Sequence, residues 1–385
     1  MIQASEFLDQ CLGLGFNFFT GTPCSYLKPL INYVIDHKKF SFVDAVNEGD
    51  AVAMASGVTM AGGRSVVMFQ NSGLGNAVNP LTSLANIFRV PLLLIITHRG
   101  EPGGEKDEPQ HELMGLITIK MLETMQIDWA HFPDKANEIE AVLNTADEYL
   151  KQESKPFALV MSKKNVASYI LQSSRETHCF HSELIQKEHF AIPYHQRHTR
   201  KEALQIIHKM TGKGAAIIAT TGYTSRELYE IDDRENQLYM VGSMGCALSL
   251  GFGMAIAKPQ VKIYVLDGDG ALLMRPGTMA TVGAHQPENL VHILLDNEAH
   301  ESTGGQSTVS DGVSFSTVAK GFGYRFVFST DRLQEFEEFM NLASSQGGPT
   351  FIHFKIKKGT SGNLGRPDIT PVQVKERLIQ YLNTY

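Results

Sequence analysis

A chain of 385 residues that is 43% hydrophobic and 19% charged has apolar material for two or three domain cores and is too apolar for global disorder. Its 34 basic and 41 acidic residues leave a formal charge of −7, which excludes the bulk basic field of a nucleic-acid binder but leaves room for a local basic pocket. The opening MIQASEFLDQCLGLGF lacks the basic start of a signal peptide, and the longest apolar run, Val90–Thr97, is strand length rather than membrane length. Cys11, Cys24, Cys179 and Cys246 are scattered without metal-ligand spacing, so neither a structural zinc nor a disulfide framework is expected, and the chain reads as cytoplasmic, with no membrane partner.

In chain order, Phe16–Thr20, Ser41–Val46, Ser65–Gln70 and Pro91–Thr97 are apolar runs that predict buried strands. The first three run straight into Gly or Asn. Glu48–Met60 and Leu113–Thr124 predict helices among and after them, and Phe157–Met161 a fifth strand. From about Asn165 to Arg200 the rhythm stops in a stretch rich in Ser, His and charge, read as a linker that could contain a helix. Strands are expected again at Ala215–Thr220, Lys262–Asp267, Leu290–Asp296 and Thr350–Ile356, with helices at Leu248–Ala257 and Leu333–Ala343. Strands alternating with helices imply an α/β fold: two domains, 1–165 and 199–385, each a mostly parallel sheet flanked by helices, joined by a 166–198 linker. In such sheets ligands sit beyond the carboxyl ends of the strands, so motifs just after strands matter most.

The strongest such motif is Val265-Leu266-Asp267-Gly268-Asp269-Gly270-Ala271, followed by Ile293-Leu294-Leu295-Asp296-Asn297. Each piece starts as an apolar strand and ends in oxygen-bearing side chains. The spacing of Asp269 and Asn297 suits neighbouring parallel strands joined through one helix. A carboxylate, an amide oxygen and a backbone carbonyl make a half-shell for a hard cation such as Mg2+, with phosphate oxygens and water completing it. Gly268 and Gly270 let backbone N–H groups approach a diphosphate.

This pair resembles the diphosphate and metal signature of the thiamin-diphosphate enzymes, with Asp296-Asn297 in place of the usual Asn-Asn. The resemblance implies that Asp269, Asn297 and the Ala299 carbonyl bind Mg2+. It also requires a carboxyl group at N1′ of the cofactor's aminopyrimidine, placed after a strand in an apolar setting that raises its pKa. Glu48, in Phe42–Ala55, has that context, although an acidic residue there also simply favours a helix N-terminus. Val241-Gly242-Ser243-Met244-Gly245 resembles the segment that bends the cofactor, with Met244 as the wedge and the Gly242 carbonyl accepting from the 4′-amino group. Thr221, Gly222, Tyr223 and Thr224 follow a strand and precede a helix, so their N–H groups could hold cofactor phosphates.

Arg99–His111 is a polar, Gly/Pro-rich loop after a strand, where His111 could transfer protons or bind an anion near neutral pH. With Gly21-Thr22-Pro23-Cys24-Ser25, Gln70-Asn71-Ser72-Gly73-Leu74-Gly75-Asn76, Glu301–Gln306 and Asn363–Pro367, it resembles the phosphonopyruvate decarboxylase group. Sulfopyruvate decarboxylases share much of the pattern. The length agrees, since the chain has room for a pyrimidine-binding domain (1–165) and a diphosphate-binding domain (199–385) but no central third domain. The implied activity is cofactor-dependent decarboxylation of 3-phosphonopyruvate to phosphonoacetaldehyde and CO2, with Glu48 and His111 catalytic. Ser25, Asn71, Arg99, Gln110 and Arg366 are the implied substrate contacts. The phosphonate needs cationic partners, and Arg366, in a Gly/Pro-framed loop, is a better candidate than Lys357 or Lys358, which read as a solvated strand end. Cys24 stands where many relatives have Asp, so the proton donor is left open.

Three other readings compete. Sulfopyruvate differs from phosphonopyruvate only in the charge of its tail. A nicotinamide-dependent dehydrogenase is suggested by Gly73-x-Gly75, but the third glycine and the acidic residue of that fingerprint are absent. A binding protein that kept the fold is disfavoured by the joint presence of Glu48, Asp269 and Asn297. The family places its cofactor between subunits, which implies at least a homodimer with Glu48 and Asp269 of one site on different chains.

Overall fold

The computed structural model describes residues 1–173, 185–360 and 364–385. The chain divides into two compact units, Met1–Thr177 and His178–Tyr385. In the first, strands β1 (Phe18–Gly21), β2 (Ser41–Asp44), β3 (Ser65–Gln70), β4 (Leu93–Thr97), β5 (Asp128–His131) and β6 (Phe157–Met161) form a parallel sheet in the order β2-β1-β3-β4-β6-β5. Helices α1 (Ala4–Gly13), α2 (Lys28–Asp36), α3 (Glu48–Met60), α4 (Leu74–Pro80), α5 (Glu112–Thr124) and α6 (Ala136–Glu153) make the crossovers and cover the sheet. β4 and β6 bury all five of their residues each, as strands covered on both faces must. At about 1.5–3 kcal/mol per fully buried large apolar side chain, these centres anchor the unit.

α3 shows how local sequence sets the site. Asn47 caps it, its side chain accepting from the Gly49 N–H at 2.8 Å, and Glu48 and Asp50 in the first turn suit the positive end of the helix dipole. The following Ala, Gly and Ser residues carry little side-chain bulk, so the helix packs closely on β1, β3 and α4 and is buried almost all round. Glu48 is thereby held at the carboxyl edge of the sheet.

In the second unit the strands are β7 (Ile185–His189), β8 (Ala215–Ala219), β9 (Gln237–Tyr239), β10 (Lys262–Gly268), β11 (Leu290–Asp296), the short antiparallel pair β12 (Ala299–His300) and β13 (Gln306–Ser307), β14 (Phe326–Thr330) and β15 (Thr350–Lys355). All but the short pair form a parallel sheet in the order β7-β14-β15-β11-β10-β8-β9. Its helices are α7 (Arg200–Met210), α8 (Tyr223–Ile231), α9 (Ala247–Ala257), α10 (Asp269–Met274), α11 (Thr278–His285), α12 (Phe315–Gly321), α13 (Leu333–Ser345) and α14 (Pro371–Leu382). α9, ALSLGFGMAIA, is apolar on every side and correspondingly buried. α7 starts in a reciprocal Thr199/Glu202 cap and α14 in a Thr370/Gln373 cap.

The sequence reading of 166–198 as a linker differs from the structure in one respect: its described residues carry β7, which pairs with β14 at the edge of the second sheet, and no α-helix. IQKEH is too polar and too short to signal a strand by itself. Two helices, α10 and α11, connect β10 to β11 where one was expected. Cys179 and Asn363, named in the sequence reading, lie outside the described residues. No helix among the described residues is long and apolar enough to cross a membrane.

Candidate active site

In the first sheet the strand order reverses at β1, which has β2 on one side and β3 on the other. Such reversals open a crevice beyond the carboxyl ends of the strands. Loops from all three strands meet on Glu48. Its Oε1 accepts from the Thr22 hydroxyl after β1 at 3.0 Å, and its Oε2 accepts from the Asn76 amide after β3 at 2.8 Å. Gly73 is the floor: a Cβ there would fall 2.4 Å from Glu48 Cγ and 2.7 Å from Oε1. Thr22, Gly73 and Asn76 all stand in motifs the sequence singles out, but only the fold joins those motifs to Glu48.

A second cluster gathers round the Arg99–His111 loop of the same unit. The Arg99 fork donates to both Asp107 oxygens, at 2.6 Å from Nε and 2.5 Å from Nη2, and its Nη1 reaches Ser25 Oγ at 3.3 Å. Those bonds hold the Asp107 carboxyl well below the usual carboxylate range, against the opposing effect of burial, and raise the Arg99 guanidinium further. Asp107 also accepts the Gly100 and Glu108 N–H groups, at 3.1 and 2.9 Å. His111 is buried; Gln70 Nε2 donates to its Nε2 at 3.3 Å, and its Nδ1 lies 3.4 Å from Asp107 Oδ1, without hydrogen-bond alignment. Gly100, at φ +69°, is required here because a Cβ would sit 2.2 Å from the His111 carbonyl.

The sequence-predicted residues of this unit therefore divide. Ser25, Arg99 and His111 share one cluster, with Gln70, Tyr26 and Asp107 added by the structure. Asn71 lies beneath it: fully buried, its amide donates to the Arg99 carbonyl and the Thr118 hydroxyl, both at 2.9 Å. Gln110 is exposed on the turn before His111. The Cys24 thiol is buried 3.4 Å from both Gln70 Oε1 and Thr97 Oγ1.

In the second unit the reversal falls at β8, between β9 and β10. The register pairs Gly268 with Leu295, so Asp269 and Asn297 emerge at the carboxyl ends of adjacent parallel strands. Asp269 is buried, and burial first, then the charge of Asp296, push it up to about 6 although Thr308 donates to it. A bound cation would relieve that repulsion. Asn297 accepts the Ala299 N–H at 3.2 Å, keeping a lone pair on its oxygen, and donates to Glu301 Oε2 at 3.0 Å. Among the described residues there is no cluster of three His, Cys, Asp or Glu side chains that could hold a metal. The donors are instead one carboxylate with amide and carbonyl oxygens, which fits a hard cation completed by phosphate oxygens.

The remaining predicted residues close round that edge. A Cβ on Gly270 would lie 2.5 Å from His300 Cε1 and 3.3 Å from Met244 Cε, so Met244 lies beside the Gly268–Ala271 turn. Gly242 is in the loop that carries Met244, and Ala271 is in the first turn of α10. Gly222, at φ +96°, precedes α8; Ser225 Oγ ties the loop back to the Thr220 carbonyl at 2.6 Å, and Ser302 lies opposite. Thr221, Gly222 and Tyr223 line a cavity of ≈ 560 Å³ together with Arg366, while Thr224 is buried at the start of α8. Lys357 N bonds the His198 carbonyl at 2.9 Å and Lys358 is exposed. The Asp296 departure is compensated: its carboxylate faces His353 Nε2 at 2.9 Å and accepts from Ser310 at 2.9 Å, which hold it below the usual range despite burial.

Residues 3–118 match the model of the thiamine pyrophosphate enzyme N-terminal TPP binding domain, and residues 220–354 that of the C-terminal TPP binding domain. A solved thiamine diphosphate-dependent 4-hydroxybenzoylformate decarboxylase from Rhodococcus jostii has the same fold, with a TM-score of 0.71 at 13% identity over 94% of this chain and 100% of that one. Fold and site thus define a thiamin-diphosphate enzyme, and thiamin diphosphate is its cofactor. A phosphonopyruvate decarboxylase of Streptomyces viridochromogenes is 41% identical over 100% of this chain and 96% of its own. One of Streptomyces hygroscopicus is 40% identical over 99% and 94%. The chain belongs to the phosphonopyruvate decarboxylase family, carboxy-lyases of the thiamin-diphosphate class. A sulfopyruvate decarboxylase of Methanosarcina acetivorans is more distant, 27% identical over 96% of this chain and 94% of its own.

Proposed function

We propose that this chain decarboxylates 3-phosphonopyruvate to phosphonoacetaldehyde and CO2, as a step in phosphonate and antibiotic biosynthesis. The observation that carries the substrate is the full-length similarity to two phosphonopyruvate decarboxylases at 41% and 40%, against 27% for the full-length sulfopyruvate enzyme. When bound, thiamin diphosphate supplies the nucleophile for the keto carbon and the electron sink for CO2 release.

In this reading the first unit is the pyrimidine-binding domain and Glu48 holds the proton at the aminopyrimidine ring. Thr22 and Asn76 fix its carboxylate, and the missing side chain at Gly73 leaves it room. The second unit is the diphosphate-binding domain. Asp269, Asn297 and the Ala299 carbonyl hold Mg2+, Gly268–Ala271 and Thr221–Thr224 present N–H groups to the diphosphate, and Gly242 and Met244 position the rings. His111, bonded by Gln70 and facing Asp107, moves the proton needed after CO2 departs. Ser25, Arg99 and Gln110 stand where the substrate would enter, and Asn71 supports them from below.

The chain is read as a homodimer or higher homo-oligomer. Val46, Leu113 and Leu116, close in sequence to Glu48 and His111, are 52%, 65% and 56% exposed, which suits an interface. Cys11, Cys24 and Cys246 form no disulfide among the described residues, which suits the cytoplasmic reading.

The test is CO2 release from phosphonopyruvate and sulfopyruvate in parallel, with and without thiamin diphosphate and Mg2+, with Glu48→Gln as control. Cofactor-dependent release from phosphonopyruvate, lost in the variant, is expected. Release from sulfopyruvate alone would overturn the substrate assignment.

A further inference from the structure

Two carboxylates at neighbouring strand ends of the second unit are joined by two hydroxyls. Asp269, just past β10, and Asp296, at the end of β11, are both buried, and their charges oppose each other. Thr308 and Ser310 lie on the chain returning from the β12–β13 hairpin. The Thr308 hydroxyl donates to Asp269 Oδ2, and the Ser310 hydroxyl donates to Asp296 Oδ1 at 2.9 Å. An ionised carboxylate only accepts and each hydroxyl has one hydrogen, so the acids fix the direction of both bonds. The two hydroxyl oxygens are 3.0 Å apart, and Thr308 Oγ1 accepts the Ser310 N–H at 3.4 Å. Val309, between them, is 71% exposed, so its side chain takes little part in holding the segment.

The hairpin held in this way touches both turns assigned to the diphosphate. A Cβ on Gly270 would lie 2.5 Å from His300 Cε1, and one on Gly222 would lie 3.5 Å from Ser302 Oγ. The outgoing arm of the hairpin has its own anchors. Glu298, at φ +59°, turns the chain out of β11, and its carboxylate accepts from Lys355 at 2.8 Å and Arg197 at 2.9 Å. The returning arm reaches the strand ends through Thr308 and Ser310. We infer that Thr308 and Ser310 are positioning residues for the cation site: they orient Asp269 and couple it to the hairpin, so that a divalent cation in the site steadies the hairpin against the diphosphate turns. The inference rests on the reading of Asp269 as a Mg2+ ligand. Groups that orient a metal ligand are typically worth about 10–100-fold in metal affinity. Such coupling is reciprocal, so a hairpin released from the hydroxyls weakens the site as an empty site loosens the hairpin.

The experiment uses the full-length protein and Thr308→Val, Thr308→Ser, Ser310→Ala, Val309→Ala and Asp269→Asn. Thiamin diphosphate binding is measured by calorimetry at graded Mg2+ concentrations. Hydrogen exchange of the 299–312 amides is followed in excess thiamin diphosphate, once with excess Mg2+ and once with a chelator. In wild type, Mg2+ is expected to slow exchange of these amides. Thr308→Val should raise the Mg2+ concentration for half-maximal cofactor binding roughly tenfold or more and abolish the Mg2+-dependent protection. Ser310→Ala should do both to a smaller degree, and Thr308→Ser and Val309→Ala should match wild type. A merely structural role would speed hairpin exchange equally with and without Mg2+ and leave the Mg2+ requirement unchanged. That result in folded Thr308→Val would overturn the inference, as would an equal effect of Val309→Ala, which removes no hydroxyl. An unchanged Mg2+ requirement in Asp269→Asn would overturn the metal reading and the coupling with it. A raised requirement in Asp269→Asn beside wild-type behaviour of Thr308→Val would overturn the coupling alone.

Discussion

Asp107 grips Arg99 at both ends of its guanidinium fork, 2.6 Å from Nε and 2.5 Å from Nη2, and the same carboxylate lies 3.4 Å from His111 Nδ1. One acid thus fixes the only arginine of the Arg99–His111 loop and faces its only histidine. Charge-assisted bonds of this kind are each worth about 1.5–3 kcal/mol when well formed, somewhat less where water reaches them.

Asp107→Asn is expected to lower stability by about 2 kcal/mol at neutral pH, because it keeps the shape but loses the charge. The Asp107 carboxyl is depressed in the folded protein, chiefly by the Arg99 hydrogen bonds. Its stabilisation is therefore complete above its unfolded value of about 3.9 and is lost as pH falls towards the folded value. Urea melts of wild type and variant should differ by a constant amount from pH 7 down to about 4, then converge in more acid solution. A gap that stayed constant down to about pH 2 would mean that the carboxylate charge is not what the variant removed.

Gly73→Ala separates the site from the fold. The added methyl meets Glu48 Cγ at 2.4 Å and Oε1 at 2.7 Å, and Glu48 is a flexible, half-buried side chain able to swing aside. The backbone at Gly73 is ordinary for an L-residue, at φ −69°. Stability should change by less than about 1 kcal/mol, while displacement of Glu48 from Thr22 and Asn76 should reduce kcat by roughly a hundredfold or more. Thermal melts and turnover on the same preparation check both halves. Full activity in a normally folded variant would show that Glu48 does not need its present position.

Much of this was legible because buried parallel strands announce themselves. Ser65–Gln70 and Leu290–Asp296 are almost entirely apolar and end at polar residues, so their bounds and the motifs after them could be read directly. Asp128–His131 and Ile185–His189 are edge strands with few or no apolar runs, and a strand paired on one side needs none. Phe326–Thr330 is fully buried, and its apolar run FVF is too short to stand out before polar Ser and Thr. At the site, Glu48, Asp269 and Asn297 follow from strand ends. The grip of Thr22 and Asn76 on Glu48, the burial of Asn71 and the neutralisation of Arg99 depend on which loops the topology brings together, and no spacing encodes that.

Arg200 ties the buried Glu227 and the half-buried Glu301 to the strand end that carries Asn297. Its Nη1 lies 3.3 Å from Glu227 and its Nη2 bonds Glu301, which in turn accepts from Asn297 Nδ2 at 3.0 Å and from the Gly359 N–H at 2.6 Å. Burial pushes Glu227 above its ordinary range even with the arginine present. Arg200→Gln leaves both carboxylates without their cation, and breaking a buried pair from one side costs about 3–5 kcal/mol. A lower melting temperature and a several-fold higher Mg2+ requirement for thiamin diphosphate binding are expected. An unchanged Mg2+ requirement would confine Arg200 to a role in stability.

The last expectation concerns how many chains build one site. If Glu48 and Asp269 of each site come from different chains, Glu48→Gln and Asp269→Asn are each inactive alone for different reasons. A mixed dimer then holds one site with both substitutions and one with neither. Denaturing the two variants together and refolding them should restore roughly a quarter of wild-type turnover, because random pairing makes about half the dimers mixed and each has one intact site. Refolding each variant separately should restore none. Should the mixture stay as inactive as its parents, while size exclusion shows that mixed dimers have formed, both residues of a site must come from the same chain. The interface reading would then be wrong, although the roles of Glu48 and Asp269 would stand.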